Sequence, residues 1–287
     1  MKTRDVPRPA DDELDFFGIT DRGKVRPDNQ DQFLVSTIHP QVVIHGTSLA
    51  NTDGLPLRGT RLATVLLIAD GVGGAAAGSE AARVATEAVT RFVSSTLRCY
   101  HAAGASKDEE FLDALRSAAL EAHAAVLSEA KQRPDGSKMA TTLTLSIVVW
   151  PWLYVVQVGD SRAYLYDGEL HQITRDQTIG QELVDQGILP ADRLAKSPFK
   201  HVLSSAIGAD AALPVVTRVD LRTRLGAIIL MCSDGLTKHV NDSELASALE
   251  NVQSSETLVH GLLDLALSRG GTDNITIIAA RAQRKRV

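Results

Sequence analysis

Between residues 141 and 173 the chain changes its hydrophobic period to two. Leu143, Leu145, Ile147 and Val149 alternate with Thr144, Ser146 and Val148, which puts successive side chains on opposite faces and predicts a β-strand. Pro151 interrupts the run, and residues 153–158 resume it as a hairpin partner. Residues 163–166 and 170–173 flank Asp167-Gly168, a two-residue turn signal expected to hold both residues at positive φ. Four antiparallel strands are thus expected in succession, joined by connections too short for a parallel crossover. That excludes a simple alternation of strands and helices.

The remaining segments fit around this block. Residues 64–69 form an apolar run that ends in Asp70-Gly71, followed by a glycine-rich stretch and a helix expected to be capped by Ser79. A second amphipathic helix is predicted over 108–131, where Phe111, Leu112, Leu115, Ala119, Leu120 and Leu127 recur at helical spacing. Residues 175–204 are polar and helical in parts. Strands are predicted over 213–219 and 227–231, then a helix over 256–268 that stops at Gly270-Gly271, then a strand over 275–280. Strands in runs and helices in pairs predict an α+β fold. Residues 39–61 read as a loop-rich insertion.

The 287 residues suffice for one large domain or two small ones. With 30 Lys and Arg against 35 Asp and Glu the formal net charge is −5, which argues against a nucleic-acid partner. The apolar stretch 143–158 is interrupted by polar residues and Pro151 and is too short for a membrane span. The N-terminus lacks an apolar secretion signal, so residues 1–14 are expected to be a flexible tail; residues 283–287 form a basic one. Cys99 and Cys232, the two cysteines, suit buried packing in a reducing cytoplasm.

Carboxylates recur at strand ends: Ile68-Ala69-Asp70-Gly71, Gly159-Asp160-Ser161-Arg162 after 154–158, Met231-Cys232-Ser233-Asp234-Gly235, and Gly271-Thr272-Asp273-Asn274 opening the last strand. Singly, each is a turn former. Together they place carboxylates at the mouths of apolar strands, where they repel one another unless cations neutralise them. Such hard oxygen ligands suit Mg²⁺ or Mn²⁺. A two-metal site of this kind generates hydroxide from water and supports in-line attack on phosphorus. Arg26 is a candidate for the remaining phosphate oxygens, because guanidinium matches phosphate bidentately. Residues 71–76 also satisfy G-x-G-x-x-A, with Glu87 downstream, as a dinucleotide-binding turn does. Asp70 before the first glycine, a helix expected only from Ser79, and strands wrongly arranged for a βαβ unit all argue against a nucleotide-binding oxidoreductase.

In order, residues 18–31, 68–78 (IADGVGGAAAG), 139–142 (MATT), 158–164 (VGDSRAY), 232–236 (CSDGL) and 271–275 (GTDNI) resemble the metal-dependent protein phosphatases of the protein phosphatase 2C (PPM) type, bacterial branch, over residues 15–282. The resemblance implies a single domain with a four-layer α-β-β-α sandwich, two mainly antiparallel sheets flanked by helix pairs. It implies two Mn²⁺ or Mg²⁺ ions, with Asp70 bridging them, Asp234 and Asp273 completing the first, and the Gly71 carbonyl helping to hold the second. Asp160 with Asp234 matches a weaker third site, Arg26 the phosphate-binding arginine, and Asp31 an acidic position beside the metal waters. Phosphoserine and phosphothreonine would be hydrolysed by direct attack of a metal-bridging water, with no phosphoenzyme, opposing a bacterial serine/threonine kinase.

Residues 177–204 match the family's flap, which Leu183, Ile188 and Leu189 would pack onto the domain. Four positions depart from the family pattern: Gln30 where glutamate is frequent, Val72 where eukaryotic members often have histidine, Ala140 where glycine is common, and Gln177 where histidine is usual. Gln30 and the flap changes motivate an alternative, a catalytically weak or silent phosphoprotein-binding scaffold of the same fold.

Overall fold

A computed structural model describes residues 7–283 except 46, 74, 104–107, 135–137 and 225; the side chains of 75, 97–103 and 108 are likewise not described. The Cys99 side chain, residues 1–6 of the expected N-terminal tail and 284–287 of the C-terminal one therefore lie outside the described residues.

In chain order the elements are β1 (Leu14–Asp21), β2 (Asp31–Ile38), β3 (Ala63–Val72), α1 (Ala75–Ala103), α2 (Asp108–Gln132), β4 (Ala140–Thr141), β5 (Leu143–Val149), β6 (Trp152–Val158), β7 (Arg162–Tyr166), β8 (Leu170–Gln172), α3 (Ile179–Asp185), α4 (Ala191–Leu194), β9 (Val215–Asp220), β10 (Ile228–Cys232), α5 (Asp234–Thr237), α6 (Asp242–Glu250), α7 (Ser255–Ser268) and β11 (Ile275–Ala282). One sheet runs β1-β11-β10-β7-β8, the other β2-β3-β5-β6-β9 with β4 paired to β3. Each of these strand pairs is antiparallel.

The period-two pattern explains why two sheets stack. On β3, Val65, Leu67 and Ala69 pack with Phe111, Leu115 and Val126 of α2 and Ala81, Ala85 and Val89 of α1. Leu66 and Ile68, on its other face, join Leu153, Val155, Leu165, Met231 and Ile278 between the sheets. On β10, Ile228, Leu230 and Cys232 face Leu245, Val259 and Leu262 of the C-terminal helices, while Ile229 and Met231 point inward. Both faces of the central strands are thus buried, each large aliphatic side chain contributing about 1.5–3 kcal/mol. The result is the four-layer α-β-β-α sandwich.

Several local expectations change. The four strands expected in succession are split, β5 and β6 in one sheet and β7 and β8 in the other, because the 159–161 connection crosses between the sheets. Thr144 and Ser146, the polar members of the β5 alternation, are buried. Leu120 is 47% exposed, and the buried stripe of α2 runs instead through Phe111, Leu115, Ala119, Ala122 and Val126. The β7–β8 connection is a three-residue loop, 167–169, in which Gly168 alone has positive φ, because positive φ at both central residues is a requirement of the two-residue type I′ loop and not of a three-residue one. Helix α1 starts at Ala75, four residues before Ser79, so a late helix start does not argue against the dinucleotide reading. The decisive observation is that β3 lies between antiparallel β2 and β5, which no βαβ unit permits. Segment 39–61 loops out between β2 and β3, closed by a Gln41–Arg58 bridge.

Candidate active site

The acidic residues meet where strands of both sheets end. Asp31 opens β2 and lies directly opposite Asp70 near the end of β3. Asp160 follows β6, Asp234 begins α5 immediately after β10, and Asp273 sits in the turn that opens β11. Since Cys232 pairs with Ile277, the adjoining turns bring Asp234 and Asp273 to one edge. Two glycines permit this approach: a Cβ at Gly71 would lie 2.4 Å from the Gly78 carbonyl oxygen, and one at Gly235 would lie 1.9 Å from that of Asn274.

Hydroxyls fix the backbone that carries these groups. Thr141 Oγ1 donates to the Asp70 carbonyl oxygen at 2.9 Å, and Asp70 N–H donates to Thr142 Oγ1 at 3.0 Å. Thr142 Oγ1 also shares a 2.9 Å hydrogen bond with Ser161 Oγ, beside Asp160. Asn274, buried in its turn, accepts from Gln30 N–H and donates to the carbonyls of Arg22 and Asp28, all at 2.9 Å. The loop bearing Arg26 is thereby tied to the turn bearing Asp273.

The electrostatics are those of concentrated negative charge. Buried Asp31 accepts from Ser233 Oγ at 2.8 Å and Thr276 Oγ1 at 2.7 Å through Oδ2, whereas its Oδ1 has no hydrogen-bond partner among the described residues. Burial, reinforced by Asp234, raises the Asp31 pKa to about 6 despite those hydrogen bonds. Burial and then the charges of Asp31, Asp234, Asp160 and Asp273 hold Asp70 well above the ordinary carboxylate range. Asp160 is raised to about 8 by burial, Asp234 and Asp176.

Asp273 is the exception: burial works upward, but Arg26 and Lys238 outweigh it and lower its pKa. Arg26 lies 2.6 Å (Nε) and 2.8 Å (Nη2) from the two Asp273 oxygens. Lys238 Nζ bridges Asp234 Oδ2 at 2.7 Å and Asp273 Oδ2 at 2.6 Å.

All five expected aspartates are thus brought together, and Arg26 joins them through Asp273 while remaining 52% exposed. The donor set fits a divalent cation, because its carboxylate oxygens are hard ligands and Asp31 Oδ1 is buried without a partner. Asp160, Asp234 and His201 offer donor atoms within 4.8 Å of one another.

Three participants were not foreseen, and a fourth, Gln177, was read only as a departure from the family pattern. Lys238 had a local signal, four residues after Asp234 on one helical face. Asn274 was visible only as part of its motif. His201 comes from the distant flap, and its pKa is lowered by burial and by Lys200 and Lys238 against the pull of Asp234. Gln177 accepts from Gly159 N–H and donates to the Leu213 carbonyl, both at 2.8 Å, so the residue at the usual histidine position staples the flap base to two neighbouring segments.

The flap contains α3 and α4, and Arg162 pairs bidentately with Asp176 at its entrance, at 2.8 and 2.6 Å. Leu183, Ile188 and Leu189 do not pack it onto the domain as expected. They line a groove within the flap itself with Pro198 and Phe199, and Ile188 is 65% exposed, because backbone hydrogen bonds such as Ile179 N–H to the Val202 carbonyl already close the segment on itself.

Comparison with known proteins agrees with this architecture. The chain is 34% identical over 236 residues to the serine/threonine protein phosphatase PstP of Mycobacterium tuberculosis, covering 82% of this chain and 43% of that one. It therefore spans less than half of that relative's length. It is 29% identical over 260 residues to the serine/threonine phosphatase Stp of Listeria monocytogenes, covering 90% and 92% of the two chains. The catalytic domain of PstP in complex with two manganese ions superposes with a TM-score of 0.70 at 29% identity, covering 94% of this chain and 99% of that one. The family model described as protein phosphatase 2C matches residues 46–264. The chain belongs to the protein phosphatase 2C family.

Proposed function

We propose that the chain is a metal-dependent protein serine/threonine phosphatase that hydrolyses phosphoserine and phosphothreonine by direct attack of water. The observation that carries this reading is the meeting of Asp70, Asp160, Asp234 and Asp273 around the partly unsatisfied carboxylate of Asp31. Asp70, the Gly71 carbonyl, Asp234 and Asp273 would hold two Mn²⁺ or Mg²⁺ ions, and Asp160 with Asp234 a weaker third. When bound, such ions supply a nucleophilic water at neutral pH and offset the charge of the phosphate.

The chain's own residues account for the rest. Arg26, half exposed, exchanges Asp273 for the phosphate oxygens, which its planar fork matches. Asp31, oriented by Ser233 and Thr276, keeps Oδ1 free to accept a proton from water. Val72 offers no imidazole for the leaving group, so its proton comes from water or from another group of the site. The flap limits how a phosphoprotein approaches, anchored by Arg162–Asp176 and Gln177–Gly159.

No helix among the described residues is long and apolar enough to cross a membrane. The low cysteine use and the bacterial relatives support a cytoplasmic enzyme opposing a serine/threonine kinase. The test is phosphate release from a phosphothreonine peptide with Mn²⁺, with EDTA, and with Asp234→Asn. Turnover should vanish in EDTA and fall in the variant by at least the ~100-fold that loss of outer-sphere partners costs at metal sites. Tight phosphopeptide binding without turnover would favour the scaffold reading instead.

A further inference from the structure

At the end of the sandwich opposite the acidic cluster, a cavity of about 100 Å³ opens between the two sheets. Thr64 and Leu66 of β3 line it; six residues separate Thr64 from Asp70, about 20 Å along an extended strand. The cavity is distinct from the phosphate site. Leu165, Ile229 and Ala280 form its apolar interior, and Phe16, 39% exposed, stands at its mouth.

The charged side chains that line it are Arg8, Arg61, Arg224 and Arg281. Three of them are committed elsewhere. Arg61 pairs with Asp11 and donates to the Pro9 carbonyl at 2.8 Å. Arg224 pairs with Asp167. Arg281 lies 2.8 Å from Asp15 Oδ2 and donates to the Val252 carbonyl at 2.7 Å.

Arg8 makes no hydrogen bond or ion pair among the described residues, although it is half-buried. Burial and the neighbouring Arg61 both disfavour its charge, against a weaker pull from Asp11. A guanidinium does not escape such a position by losing its proton, and a partly desolvated charge calls for a counter-charge.

We propose that this cavity binds a small carboxylate carried on an alkyl or aryl group, with the apolar part between the sheets and the carboxylate on Arg8. Three features combine: an apolar pocket, a lining whose other three arginines are already neutralised by carboxylates, and one guanidinium whose donors are free among the described residues. A cavity of about 150 Å³ holds a benzene ring, so this smaller one of about 100 Å³ takes a short chain or part of a ring, the remainder standing in its open mouth. Arg–carboxylate pairing supplies the orientation, as the few polar groups of ligand pockets do.

The chain has two tryptophans, Trp150 and Trp152, and Trp150 lines the cavity whereas Trp152 lies under Arg218 and Arg222. In a Trp152→Phe background the emission of Trp150 reports occupancy. The probes are 4-phenylbutyrate, 4-phenylbutanol and 4-phenylbutylamine, which share a body and differ in head group. Phenylbutyrate should shift the emission saturably, raise Tm, and bind about tenfold more tightly than the amine, with inorganic phosphate failing to compete. Arg8→Gln should remove that tenfold preference and leave the alcohol's affinity unchanged. Absence of saturable phenylbutyrate binding, equal affinity for the amine, an unchanged affinity in Arg8→Gln, or competition by phosphate would each overturn the proposal.

Discussion

Asp31 and Asp70 lie directly opposite each other on β2 and β3, two carboxylates paired across one antiparallel ladder. Like charges in that relation destabilise a sheet, and here burial deepens the conflict by raising both pKa values. Asp31→Asn retains an oxygen to accept from Ser233 and Thr276 while removing one of the charges. The metal-free variant should be more stable by about 1–2 kcal/mol, a gain typical of relieving a strained functional site, and should bind Mn²⁺ more weakly. Urea unfolding with and without Mn²⁺ measures both; a less stable metal-free variant refutes the charge-conflict account.

The same carboxylates set a pH dependence. Their folded pKa values, about 6 for Asp31, about 8 for Asp160 and raised for Asp70, exceed that of an unfolded aspartate, about 4. The folded state therefore holds more protons than the unfolded state above pH 4, and the stability these groups contribute falls as pH rises toward 8. Metal-free Tm should decline from pH 5 to pH 8. Because Mn²⁺ takes the deprotonated carboxylates, the increment in Tm that it produces should grow over the same interval. An increment independent of pH, read by scanning calorimetry, contradicts this.

Lys238 bridges Asp234 and Asp273 and raises its own pKa by doing so, the two carboxylates outweighing burial. It competes with any other cation for those oxygens. Lys238→Met should lower metal-free stability by about 1–3 kcal/mol, the cost of leaving partly buried charged groups without their hydrogen-bond partner, and should tighten Mn²⁺ binding. Calorimetric titration of Mn²⁺ into the variant decides the second point, and weaker binding would show that Lys238 supports the site instead.

Asn274 holds the loop between β1 and β2 through three side-chain hydrogen bonds, to Gln30, Arg22 and Asp28. At about 1 kcal/mol for each bond, Asn274→Ala should cost about 3 kcal/mol. Because the loop it holds carries Arg26, KM for a phosphopeptide should rise more than kcat falls. An unchanged KM would separate the Arg26 loop from substrate binding.

Much of this architecture was legible locally. Period-two alternation identified β5 to β8, helical spacing identified α1, α2 and α7, and aspartates at the ends of apolar runs marked the functional pole. These signals rest on neighbours within a few residues, where spacing in sequence and geometry coincide. Turns and helix starts were read less well. Ser79 is an interior helical residue and Asp167 has no positive φ, since turn propensity yields to the register of the strands it joins.

By itself, then, the sequence determined β3 and β5 to β11 as strands, the aspartates that stand at strand ends, and an α+β fold, whereas β1, β2 and β4 carried no local signal that marked them. Only the tertiary structure decided which faces of those strands meet helices and which meet the other sheet. It alone placed Asp31 opposite Asp70, put Lys238 between Asp234 and Asp273, tied Asn274 to a loop some 250 residues away in the chain, and left Arg8 without a partner among the described residues over an apolar cavity. Each of these depends on register and layer packing, which bring distant residues to within hydrogen-bond range, and no local pattern encodes which partners will meet.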